Sequence, residues 1–214
     1  MNSLFSLDNP VMRFLTKLFD VMFLSILWFV FSIPIITIGA STTAMYYATV
    51  KVIRRDRGYI FQEFWKSFKL NFLQATLSWI IIVVGTLLFF FNVKFAWTLQ
   101  GKAGTLLTLI YGFMGILVLG CGMYLFPVLS RFTMKFSQLI KISVFLFFKH
   151  IPRSLLMAVI VFIAVAGMYL SQLAVFFLPV SATLLFSLIM EPTLKLYTPH
   201  VEDEEEKKDE WYLE

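Results

Sequence analysis

Charge is scarce in this chain, and so are the side chains that usually build reaction centres. Acidic and basic residues make up 14% of the 214 residues, apolar residues make up 59%, and mean hydropathy is +0.83. A soluble domain carries about 25% charged residues, and a fold in water would have nowhere to put this much apolar surface. The single cysteine, Cys121, excludes a disulfide framework or a cysteine metal centre. Its place between Gly120 and Gly122 reads as that of a small packing residue. Two histidines, His150 and His200, are too few for a multi-histidine metal site. No phosphate-binding G-x-x-x-x-G-K-[ST] loop, no H-E-x-x-H helix and no G-x-S-x-G elbow occurs. No enzyme activity, cofactor, metal or nucleic-acid partner is therefore expected. Alternating period-2 segments are also missing, which argues against an outer-membrane barrel.

What the chain does have is length of apolar sequence. Runs over residues 18–38, 72–91, 106–129, 155–173 and 175–190 approach or exceed the roughly 20 residues that a membrane helix needs. Backbone groups in hydrocarbon must be paired within the segment, so these runs should be helices. A cleaved signal peptide is the weaker reading of the first run, because Trp28, Phe29 and Phe31 crowd the small-residue site it would need at 38–40.

Cations fill alternate gaps. Lys51, Arg54, Arg55, Arg57, Lys66 and Lys69 precede the second run, and Arg131, Lys135, Lys141, Lys149 and Arg153 precede the fourth. By the positive-inside rule both gaps face the cytoplasm. The gap at 92–104 holds only Lys94 and Lys102, and the turn around Gln172 holds no charge, so both read as external. One crossing over 18–38 would leave Arg13 and Lys17 on the wrong side. A hairpin that turns near 34–39 and returns through 37–53 restores the rule. Its return leg spans roughly 26 Å, close to the ~30 Å of hydrocarbon. The alternative is a single crossing followed by a buried or interfacial helix.

Each basic gap carries an amphipathic stretch. Phe61, Phe64, Trp65, Phe68 and Phe72 recur on one face of 59–72, with Lys66 and Lys69 on the other, so this stretch is expected to lie in the interface plane. Phe61, Phe64, Trp65, Lys66, Phe68 and Lys69 are its candidate partner-binding residues. Arg131, Lys135, Gln138 and Lys141 make a weaker polar stripe before Val144-Phe-Leu-Phe-Phe148. Leu4, Leu7, Val11, Phe14, Leu15 and Leu18 with Arg13 and Lys17 make a third candidate.

The expected fold is all-α, a polytopic helical membrane protein. It has five long apolar segments plus the shorter second leg of an N-terminal hairpin, with interfacial amphipathic helices. Residues 1–200 form one membrane domain, and 201–214 form a disordered acidic cytoplasmic tail. That tail holds eight acids and two lysines, net −6, which leaves 16 bases and five acids, net +11, in the first 200 residues. The basic face suits anionic lipid headgroups. Among intramembrane ionisable groups only Asp20 and Glu191 qualify. Both lie near helix ends, and Asp20 has Arg13 and Lys17 within reach. Thr108, Gly112 and Gly120 share a face, which suits tight helix packing, with Pro127 as a kink.

Three blocks carry a resemblance: Ser32-Ile-Pro-Ile-Ile-Thr-Ile-Gly-Ala-Ser-Thr-Thr-Ala-Met-Tyr46, then Phe64-Trp-Lys-Ser-Phe-Lys-Leu-Asn-Phe-Leu-Gln-Ala-Thr76, then Tyr124-Leu-Phe-Pro-Val-Leu-Ser-Arg-Phe132. Together they resemble the YesL-like family of bacterial membrane proteins, over about residues 1–200. The family is found mostly in Gram-positive bacteria, catalogued as a domain of unknown function and encoded beside carbohydrate ABC importers and glycan-degrading enzymes. The resemblance implies a role in oligosaccharide uptake and supplies no catalytic residue; the leading expectation is an auxiliary subunit that binds the permease subunits of a carbohydrate ABC importer in the plasma membrane. A self-contained secondary transporter and a membrane scaffold or sensor acting through the tail are the competing expectations. Pro34, Thr37, Gly39, Ser41, Thr42, Gly112, Gly120 and Pro127 are expected to pack helices.

Overall fold

The computed structural model describes residues 10–99 and 101–197. The acidic tail at 201–214, and Leu4 and Leu7 of the third amphipathic candidate, lie outside the described residues. Every element among the described residues is helical. Four helices are long and apolar enough to cross a membrane, which makes this a polytopic helical membrane protein.

Helix α1 (Pro10–Ser32) ends where Pro34 removes a backbone donor and disfavours helical geometry at Ile33. A short 3₁₀ turn (Ile35–Thr37) follows, with the Thr37 hydroxyl 2.6 Å from the carbonyls of both Phe31 and Pro34. Helix α2 (Ile38–Ala48) then runs back and passes without a break into a π-helical segment, Thr49–Arg54. Trp28 Nε1 donates to Thr42 Oγ1 at 3.2 Å, and Lys17 Nζ lies 3.4 Å from the Ile53 carbonyl. Between these two rungs both legs advance by the same number of residues in opposite directions. The N-terminal unit is therefore the hairpin that the charge rule favours.

Helix α3 (Ile60–Thr98) has 39 residues and is about 58 Å long at 1.5 Å per residue. This corrects the expected interface-plane helix over 59–72, which is the first part of one continuous helix. Phe64 and Phe68 are buried against Phe31, with ring centroids 5.5 and 5.2 Å away. No glycine or proline lies between Tyr59 and Gly85 to break the run. The amphipathic start of α1 is likewise continuous with its apolar part, so only α5 survives as a separate amphipathic helix.

Helix α2 lies antiparallel to α3. Lys51 Nζ meets Glu63 Oε2 at 2.8 Å at one end. At the other, a Cβ on Gly39 would strike the Ala75 carbonyl and lie 2.7 Å from Trp79 Cβ. Gly101, with φ +94°, turns the chain into α4 (Lys102–Arg131), which pairs back along α3. Helix α5 (Phe136–Lys149) packs on the end of α4, where the Phe147 ring fills the space a Cβ on Gly120 would need. Helices α6 (Ile151–Leu170) and α7 (Leu178–Lys195) form a last antiparallel pair. The expected run at 175–190 divides between the 3₁₀ turn Gln172–Phe176 and α7.

The closed part of this bundle reaches only to the middle of α3. Trp79 Nε1 donates to the Ile35 carbonyl at 2.8 Å, which puts the α1–α2 turn beside Trp79. Past that level α3 buries only Ile82 and Ala96, and α4 before Gly120 buries only Gly104. The two helices continue together for about 28 Å as an arm.

Candidate functional site

The arm's opposite end is where polar groups converge. Helix α7 brings Glu191 into the interior, 4% exposed. Its Oε1 accepts a hydrogen bond from the Tyr46 hydroxyl of α2 at 2.9 Å. Its Oε2 accepts from Arg131 Nη1 at 3.1 Å and lies 4.0 Å from Arg55 Nη2. Arg131 closes α4, where a cation suits the negative end of the helix dipole. Arg54, beside Arg55, donates from Nη1 to the Ser187 carbonyl at 3.0 Å and hydroxyl at 3.1 Å.

Local geometry explains how two adjacent arginines reach α7. The π segment Thr49–Arg54 widens the helix, so its last residues are turned relative to an α-helical continuation. Such π segments are rare and are frequently found at functional sites. A buried carboxylate holding an arginine is costly to desolvate, and losing either partner is costlier still. The cluster therefore ties α2, the π segment, α4 and α7 at one point.

A second polar group flanks it. Tyr124 and Ser154 share a hydrogen bond at 2.7 Å, and Arg153 Nη1 donates to Thr193 Oγ1 at 2.8 Å. His150 Nε2 lies 3.2 Å from the Tyr197 hydroxyl. Burial first, then the charges of Arg153 and Lys149, push the His150 pKa below its ordinary value. Lys149 Nζ sits over the rings of Phe145 and Tyr197 at 5.2 and 5.1 Å.

Residues 21–93 match a family model described as "Protein of unknown function, DUF624". The matched stretch holds Tyr46, Arg54 and Arg55 but neither Arg131 nor Glu191. No curated protein and no solved structure matches the chain.

The residues singled out from sequence fall into three groups. Thr37, Gly39, Ser41 and Thr42 sit in the first hairpin and its contacts: Ser41 Oγ donates to the Thr37 carbonyl at 3.0 Å, and Thr42 receives Trp28. Pro34 lies exposed at the turn, while Gly120 is tightly covered and Pro127 is buried within α4. A Cβ on Gly112 would meet nothing within 4 Å, so Gly112 packs against no other described part of this chain. Among the partner-binding candidates, Phe64 and Phe68 are part of the chain's own core. Phe61, stacked on Trp65, remains outside with Lys66 and Lys69.

Glu191 lies near the end of α7, as expected, but as a buried hub. Tyr46, Arg54, Arg55 and Arg131 were missed as its partners. The available signal was an acid at the end of an apolar run, directly before Pro192, which is a functional-site hypothesis by default in a membrane helix.

Proposed function

We propose that this chain is an auxiliary membrane subunit of a carbohydrate ABC importer, binding the permease and stabilising or regulating it. The supporting observation is the α3–α4 arm, two apolar helices that no other described part of the chain covers. Helix pairs of this kind associate in a bilayer through close packing at small residues, and Gly112 offers such an open position. The resemblance to the YesL-like family supplies the class of partner. In this reading the protein is non-enzymatic, sits in a bacterial plasma membrane with both termini cytoplasmic, and rests its basic face on anionic headgroups.

Co-expression with two permease subunits in mild detergent tests the proposal. The expected result is a stable complex, lost in Gly112→Leu while the variant protein itself folds normally. Reproducible isolation of the wild-type chain as a free species overturns it.

Glu191 favours one second reading, a secondary transporter with an ionisable group between its helices. Uptake of solute into proteoliposomes without ATP, abolished in Glu191→Gln, distinguishes that reading from the first.

A further inference from the structure

At the same end as the ion cluster, α1 and the turn after the π segment form a half-open surface pocket of about 460 Å³ lined by Asp20, half-buried, and by exposed Arg13, Thr16, Lys17 and Asp56. We infer that it holds the phosphoethanolamine headgroup of a membrane lipid, with the phosphate on Arg13 and Lys17 and the ammonium on Asp20 and Asp56.

Residues 13, 16, 17 and 20 recur at helical spacing, so they share one face of α1. Along that face two cations, Arg13 and Lys17, are followed by the carboxylate of Asp20, and with Asp56 the lining has two cations and two carboxylates. A neutral, dipolar lining suits a zwitterion. A purely anionic headgroup would face both carboxylates, and a quaternary ammonium has no N–H to donate to them.

Asp56 itself sits in the left-handed region, with φ +52°. It ends the π segment with hydrogen bonds from Asp56 N to Val52 O and from Arg57 N to Lys51 O. This is the position after a helix where glycine is the usual residue. The carboxylate there reaches Lys17 at 3.4 Å, in a pair whose side chains are 50% and 74% exposed. Such an open ion pair is weak, so a ligand can exchange into it. Next to the charged face, α1 presents exposed Phe14, Leu18 and Phe19. That apolar ledge can carry acyl chains, which favours a lipid over a soluble ligand of the same headgroup.

The test uses the full-length protein in detergent, titrated by native mass spectrometry. The probes are dioleoyl phosphatidylethanolamine, the matching phosphatidylcholine and phosphatidylglycerol, and soluble glycerophosphoethanolamine. The ethanolamine lipid should bind about tenfold more tightly than either other lipid, as expected for charge-assisted hydrogen bonds made to it alone. Asp56→Gly should lose most of that preference without a fall in Tm, because glycine suits the backbone there, and adding Asp20→Asn should remove it. Equal or tighter binding of phosphatidylglycerol, or a preference that survives in the double variant, overturns the headgroup assignment. Displacement by an equal concentration of the soluble headgroup overturns the lipid as its source.

Discussion

Up to Trp79, helix α3 buries a residue on nearly every turn against α1 and α2, from Ile60 through Phe64, Phe68 and Asn71 to Ala75 and Ser78. Beyond it the same helix is at least as apolar and buries almost nothing. Hydropathy is therefore not what decides burial in this chain. In water an apolar face drives its own covering, but lipid tails are as apolar as leucine, and helices in a bilayer associate only where shapes fit or polar groups bond. The first part of α3 has both, in Gly39 against Ala75 and in Lys51 against Glu63. The arm has neither, apart from its own seam, where Gly85 faces Val118 and Gly115 faces Phe89.

The largest test of this contrast is at the ion cluster. Glu191→Ala removes the buried carboxylate on which Tyr46, Arg55 and Arg131 converge and should cost about 3–5 kcal/mol, read as a large fall in Tm in detergent. Replacing the pair with apolar residues, Glu191→Leu with Arg131→Met, should recover most of the loss. No fall in the single variant would mean that the cluster does not hold the closed end together.

Two glycines sharpen the comparison at a smaller scale. Gly39→Leu drives a side chain into the α3 backbone at Ala75 and should destabilise by about 1–3 kcal/mol. Gly112→Leu on the arm should leave the Tm of the isolated protein unchanged. Equal effects at the two sites would erase the distinction between closed end and arm.

The smallest effect is expected at His150. Its folded pKa lies below the ordinary histidine value of 6.5, so the fold favours the neutral ring. That contribution is fully present above pH 6.5 and is lost as pH falls through 6.5 towards the lower folded value. Thermal melts between pH 7.5 and 5, wild type against His150→Gln, should show a slightly smaller acid-side decline in the variant.

Much of the fold was legible because its causes are local. Pro34 marks the first turn, and the cation count puts Lys17 and the 51–57 segment on one side if the chain makes a hairpin, which favoured that reading over a single crossing. The continuity of α3 was less legible. The aromatic spacing of Phe61, Phe64 and Phe68 fits an interfacial helix as well as a buried one, and only Phe31, from another helix, distinguishes them. The candidate site was least legible, since Glu191 and its partners Tyr46, Arg55 and Arg131 come from separate parts of the chain and nothing local pairs them.

By itself, the sequence determined the class of the protein, its apolar runs and the crowding of cations into alternate gaps, and it favoured the first hairpin over a single crossing. Apolar run length, proline and glycine positions and charge counts act within a few residues of chain. The tertiary structure alone decided which charges meet. Glu191 finds Tyr46 from 145 positions away and Arg131 from 60, and neither separation has a period that sequence could reveal. Those pairings follow from the way α2, α4 and α7 pack, and from a π segment whose extra width turns Arg54 and Arg55 towards them.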